Sequence, residues 1–219
     1  RIHRQHSRTT GAWIMALKPL DNRRDLSIIA DLVEPSSRVL DVGCGEGELL
    51  EILATKRNVD GRGVELSQDG VNACVTRGLS VIQGDADQDL GDYPKDAFDY
   101  IILSKTIQAT RNPGTVLRQM RRIGRHVIVS FPNFGHWKIR VQLGLLGRMP
   151  ETDTLSDKWY ETPNIHLCTV KDFVTLCDEL DLEVVQGLML SGGTVRHASN
   201  PGFFDNLLAE EAVFLLKRR

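Results

Sequence analysis

The chain has 219 residues, 41% of them hydrophobic and 26% charged, with a net charge of -2. That balance excludes a disordered chain, the length suits one domain with a sizeable core, and no apolar run reaches the roughly 18 residues of a membrane span. Residues 1–24 hold six Lys/Arg and one acid, leaving -7 for the rest, so the body repels a phosphate backbone and nucleic acid is not an expected partner.

Taken in chain order, residues 1–14 (RIHRQHSRTTGAWI) are basic and lack the apolar region of a secretory signal. They read as an expression scar or an upstream extension before Met15, with residues 15–219 as a single domain. SRVLDVG (37–43), GRGVEL (61–66), LSVIQGD (79–85), FDYIILS (98–104) and HVIVSFPN (126–133) read as five strands buried on both faces. Helical patterns lie between them: Leu49, Leu50 and Leu53; SQDGVNACVTRG; then Val116, Leu117, Met120 and Ile123, with Pro113 in the first turn. Further on, Phe173, Leu176, Cys177 and Leu180 share one face, opened by Thr169 and Asp172 as a capping pair. LEVVQGLML (182–190) and EEAVFLLKR (210–218) supply two last strands. The expected fold is therefore α/β, a doubly wound, mostly parallel seven-stranded sheet with helices on both faces. Cys44, Cys74, Cys168 and Cys177 show neither a C-x-x-C pair nor metal-ligand spacing, so no metal site is expected and a reducing cytoplasm is the simplest home.

Ligands of such sheets sit beyond the carboxyl ends of the strands, where the glycine turn, Glu65, Asp85 and Ser104 all fall. The turn reads Gly43-x-Gly45-x-Gly47 with Glu at position 48, so the third glycine of a dinucleotide-binding G-x-G-x-x-G is missing. Asp41, Glu46 and Glu48 surround it. A pyrophosphate there meets like charges at about 4 kcal/mol per close pair for an effective dielectric of 20, which disfavours NAD. S-adenosylmethionine carries a sulfonium and an ammonium against one carboxylate, and those acids attract it. Glu65 lies twenty residues after Gly45, close to the spacing of a ribose-binding acid. Singly, a glycine turn is a tight connection and Asp85 is turn chemistry; together, at the ends of three consecutive strands, they point to a nucleoside site.

LDVGCGEG, GVEL and GDAD resemble the three nucleoside-binding motifs of class I S-adenosylmethionine-dependent methyltransferases. RVLDVGCGEGELL, VIQGDAD, FDYIILSKTIQA, SFPNFGHWKIRVQL, GRMP and TPNIHLCT, in that order, resemble the MetW family of methionine-biosynthesis proteins from about Leu26 to the C-terminus. The resemblance implies S-adenosylmethionine or S-adenosylhomocysteine as cofactor, with Asp41, Gly43 and Gly45 at its methionine end. It further implies Glu65 at the ribose hydroxyls, Asp85 with Ala86 at the adenine and Ser104 beneath the sulfonium, with Leu66 and Gly84 also among the cofactor-binding residues. It also implies a protein partner, the homoserine O-acyltransferase MetX. RRIGRH stands where many small-molecule methyltransferases have Pro-Gly-Gly before strand 5, so substrate contacts do not carry over.

Residues 134–168 leave strand 5 at the cleft and return only at the fourth clear helix, too long for an ordinary connection and hence a lid or docking surface. WKIRVQLGLLG alternates as a strand does, yet Ile139, Leu143 and Leu146 also fit a helix. His136 and His166 are the candidates for a catalytic base, weighed against histidines that merely order the lid. Trp137 and Trp159 suit lid core or partner anchors, and Arg118, Arg121, Arg122 and Arg125 a solvated helix face. Two functional classes remain: a cofactor-binding accessory subunit of an acyltransferase, and an active methyltransferase on a small molecule or protein.

Overall fold

A computed structural model of the chain describes residues 23–219; the proposed scar or extension at 1–14 lies outside them. Eight strands form one sheet: β1 (Arg38–Val42), β2 (Asp60–Glu65), β3 (Ser80–Gln83), β4 (Phe98–Ser104), β5 (Gly124–Pro132), β6 (Leu182–Ser191), β7 (Thr194–His197) and β8 (Glu211–Arg218). Their order is β3-β2-β1-β4-β5-β8-β6-β7. The first five run parallel, β8 is antiparallel to both β5 and β6, and β7 is antiparallel to β6. Chain order proceeds outward from β1 through β2 to β3, then restarts on the other side with β4, so the switch point lies between β1 and β4.

Strand periodicity of two divides the core. On β4, Tyr100 and Ile102 join a layer with Val39, Ile128 and Val213, covered by Leu26 and Ile29 of α1 (Arg24–Leu32) and by Leu49 and Leu53 of α2 (Glu48–Arg57). The alternate residues Ile101 and Leu103 face Leu117 and Met120 of α4 (Pro113–Ile123) and Phe173 of α6 (Val170–Glu179). Two-sided burial is why these strands read as continuous apolar runs. Phe131, Phe173 and Phe214 stack at the centre of the second layer, with centroids 4.8–6.0 Å apart.

Several expectations need adjustment. There are eight strands, because Gly192 and Gly193, both at positive φ, close a two-residue hairpin that adds β7. β3 is not buried on both faces: it is the sheet edge, and Ile82 is 57% exposed. The ambiguous run after β5 is a helix, α5 (Trp137–Leu146). Two further helices cover the sheet or its rim: α3 (Gln68–Thr76), which matches the expected second helix, and the short α7 (Phe203–Leu208). The capping pair holds, since Thr169 Oγ1 accepts the Asp172 amide at 3.2 Å and donates to its carboxylate at 2.6 Å. Of the arginine cluster, Arg122 is not simply solvated: it donates to the carbonyls of Tyr93, Leu90 and Gly91 and ties α4 to the loop before β4. Among the described residues no helix is long and apolar enough to cross a membrane.

Phe131→Ala removes the ring shared by β5, α6 and β8 and is expected to cost about 3–5 kcal/mol of stability in urea unfolding. A loss under 1 kcal/mol contradicts this account of the core.

Candidate functional site

At the switch point the carboxyl ends of β1, β2 and β4 border a cleft of about 340 Å³, a size typical of small-molecule sites. Its first wall is the glycine turn. Gly43, Gly45 and Gly47 have φ of 71°, 55° and 85°, a left-handed run that only glycine adopts without strain. A Cβ on Gly43 would lie 2.7 Å from the Thr106 side chain, whereas one on Gly45 would meet nothing within 4 Å. The turn is thus pressed against β4's exit on one side and open on the other.

The second wall is Glu65. Its Oε2 accepts the Gly45 amide at 2.8 Å and its Oε1 accepts the Ser67 amide at 2.9 Å. Each oxygen retains a lone pair for a hydroxyl of a ligand. Gly70, in the first turn of α3, lets this carboxylate approach, because a Cβ there would lie 2.8 Å from Glu65 Cγ and 2.9 Å from the Gly45 carbonyl.

Leu66, Gly84, Asp85 and Ala86 complete the far end of the cleft. Asp85 Oδ1 accepts the Asp87 amide and its Oδ2 accepts from Gln88, so this carboxylate shapes its own loop. Asp87 accepts the amides of both Arg111 and Asn112 and clamps that loop to the segment after β4. Thr106, Ala109, Thr110 and Arg111 supply the remaining side. These four were missed as site residues, although they follow the β4 exit where such a fold places ligand contacts.

Of the residues expected here, Gly43, Glu65, Leu66, Gly84, Asp85 and Ala86 line the cleft together. Asp41 lies beneath the turn, 2% exposed, and its Oδ1 has no hydrogen-bond partner. Burial pushes its carboxyl up to about 7; Arg23 opposes that shift and Glu65 adds to it. Glu46 does not line the cleft and pairs with Arg77 at 3.5 Å. Ser104 is also removed from the cleft lining: its hydroxyl donates to Asp25 at 3.2 Å and accepts from Arg23 at 3.2 Å and from Ser130 at 3.3 Å.

The two histidines separate. His136, the residue before α5, is 3% exposed and does not line the cleft, and burial lowers its pKa. His166 stands beside a cleft residue, its Nε2 3.4 Å from the Arg111 carbonyl. The segment 134–168 is tied to the β4 exit: the amides of Ile165 and His166 both donate to the Gln108 carbonyl, and the Gln108 side chain donates to the Pro132 carbonyl at 3.1 Å. Among the described residues no group of three His, Cys, Asp or Glu is arranged to hold a metal ion.

The donor set fits a cationic nucleoside. Glu65 suits vicinal hydroxyls, and the carboxylates of Glu65, Asp85 and Asp87 outnumber the single cation Arg111 on the lining. A diphosphate is repelled by the same groups.

An open α/β sheet of this order, with its cleft at the β1/β4 switch point, is the class I methyltransferase fold. A crystal structure of an S-adenosylmethionine-dependent methyltransferase from Thermotoga maritima superposes with a TM-score of 0.65 at 16% identity, covering 90% of this chain and 89% of that one. One from Mesorhizobium loti gives 0.65 at 16% identity over 90% and 98%. The chain belongs to the MetW family: the family model described as methionine biosynthesis protein MetW matches residues 23–216. A bifunctional methionine biosynthesis protein MetXA/MetW from Rhodopirellula baltica is 32% identical over 206 residues, 89% of this chain and 32% of the relative. Ajmaline N-methyltransferase from Rauvolfia serpentina is 24% identical over 159 residues, 68% of this chain and 53% of that one. The chain thus spans between a third and about half the length of these curated relatives.

Gly45→Ala is expected to cost about 1–2 kcal/mol of stability, the strain of a left-handed residue alone. Gly43→Ala adds the contact with Thr106 and is expected to cost more; equal losses in paired urea titrations refute the packing of the turn on Thr106. Asp41 holds its proton longer folded than unfolded, so its contribution to stability falls as pH rises from about 4 to about 7. The stability difference between the wild type and Asp41→Asn is therefore expected to move against the wild type across that window, and a flat difference contradicts the buried carboxyl.

Proposed function

We propose that the chain binds S-adenosylmethionine in this cleft and serves methionine biosynthesis as the partner of a homoserine O-acyltransferase of the MetX kind. The observation that carries the cofactor assignment is the bond joining Glu65 to the glycine turn, beside a cleft that Glu65 and Gly43 both line. In this reading Asp41, Gly43 and Gly45 serve the methionine end, Glu65 and Leu66 the ribose, and Gly84, Asp85 and Ala86 the adenine. Ser104 acts one step removed, through the buried groups it orients.

The partnership is supported by the relative whose name joins MetXA to MetW. It is supported also by the lid, where Leu145 is 80% and Trp159 69% exposed, a concentration of apolar surface that suits a protein contact. The reading treats residues 15–219 as one unit with 134–168 as its lid or docking insertion. A cytoplasmic setting goes with it, consistent with four free thiols. The second reading, an active methyltransferase on a small molecule or protein, draws on the fold and on His166 beside Arg111.

Glu65→Ala is expected to weaken S-adenosylmethionine binding by roughly 1.5–3 kcal/mol in calorimetry, because it removes ribose contacts and releases the Gly45 and Ser67 amides; unchanged affinity refutes the ribose assignment. Co-purification with the acyltransferase, and loss of acyl transfer when this chain is withheld, is the result expected for the accessory role. Accumulation of S-adenosylhomocysteine without any partner favours the enzyme instead.

A further inference from the structure

Beneath the glycine turn lies a group of acidic and basic side chains that the ribose and adenine contacts leave unused. Asp25, 1% exposed at the start of α1, accepts from Arg23 at 3.1 and 3.2 Å and from the Ser104 hydroxyl at 3.2 Å. Lys105 Nζ stands 3.5 Å from Asp25 and 3.2 Å from Glu211, the first residue of β8. Lys105 takes a φ of 54°, a left-handed conformation costly for a residue with a Cβ. That turn swings its ammonium inward, and it is the LSKT sequence at the β4 exit that makes it.

Among the described residues the count of charges is uneven: three acids, Asp25, Asp41 and Glu211, share two cations, Arg23 and Lys105, and two buried carboxylate oxygens, Asp41 Oδ1 and Glu211 Oε1, have no hydrogen-bond partner there. An acid left in that condition is expensive unless a further positive charge comes near or a proton stays on it. The cleft lies on the other side of Gly43 and Thr106, and Asp41 is electrostatically coupled to Glu65 on the cleft wall.

We infer that this deficit makes the cleft selective for charge, so that it holds the sulfonium of S-adenosylmethionine in preference to the neutral thioether of S-adenosylhomocysteine, with Asp41 and Glu211 setting the preference. The inference rests on the cofactor reading above and adds a residue, Glu211, that no nucleoside contact requires. Both oxygens are buried, so they act through their field and not by touching the ligand. The two nucleosides differ by one methyl group and one positive charge, and the acids respond to the charge. The methyl donor is thereby distinguished from its spent form, which is what a subunit reporting donor supply requires.

Protons must move with the ligand. Burial raises both Asp41 and Glu211 to about 7, so each is part-protonated near neutrality. The groups facing them are Arg23 and Asp25 at the start of α1, Glu48 of α2, Glu65 of β2, Lys105 after β4, and the hydroxyls of Ser104 and Ser130. An arriving cation stabilises the ionised acids and expels protons; a neutral ligand does not.

The test is calorimetric titration of the full chain with S-adenosylmethionine, S-adenosylhomocysteine and adenosine, at pH 6 and pH 8 and constant ionic strength. At pH 8 the sulfonium ligand is expected to bind about tenfold tighter than the thioether, with the gap narrowing at pH 6 as the acids take up protons. Repeating the titrations in buffers of different ionisation enthalpy is expected to show protons released with the sulfonium ligand and none with the thioether. Glu211→Gln is expected to bring the two affinities together while leaving that of the thioether within about twofold; if this variant fails to fold, the pH and buffer series on the wild type decide the matter. Equal affinities at pH 8, or a ratio and proton count indifferent to pH, overturn the inference while leaving the cofactor reading intact. No binding of any of the three overturns both.

Discussion

The bond from the Gly45 amide to the Glu65 carboxylate is the interaction on which the site depends. It joins the turn after β1 to the end of β2, and because the same carboxylate also caps Ser67, it sets where α3 begins. A carboxylate holding two amides is pre-oriented, its side-chain freedom already lost, so it faces the cleft as a fixed acceptor. The required neighbours are all small: Gly43 against Thr106, Gly70 against Glu65, and Gly63 against Cys44, where a Cβ would lie 2.6 Å from the sulfur. Local backbone choice and binding geometry are therefore one constraint.

On the opposite side of the turn the protein invests in charge. Arg23, Asp25, Lys105 and Glu211 bring the start of α1, the β4 exit and the start of β8 to one place. Buried ion pairs of this kind are weak sources of stability, since desolvation offsets their attraction.

Much of this was legible in the sequence. β1, β4 and β5 were visible because burial on both faces leaves apolar runs, β2 and β3 by their short aliphatic stretches ending in turn residues, and the glycine turn because tight backbone geometry admits few residue types. The MetW motifs led to the family that the chain belongs to. What escaped had weaker local signals. β7 rests on the Gly192-Gly193 pair in an exposed four-residue strand with little apolar pattern. α1 begins without a side-chain cap, and α5 exposes Leu143, Leu145 and Leu146, so its apolar residues do not trace a core-facing stripe. The roles of Arg23, Asp25 and Glu211 depend on contacts spanning most of the chain, which spacing along a sequence does not encode. Ser104 was placed at the correct strand end, yet its hydroxyl is turned to Asp25 and not to the cleft.

The segment between β5 and α6 is closed at its base: its two ends, at Phe134 and Cys168, are joined by a backbone hydrogen bond of 3.0 Å. Everything between them forms a loop whose closure is already made, and loop entropy grows only slowly with added length. The excursion can therefore tolerate insertions and deletions at small entropic cost while the strands beneath keep their alignment.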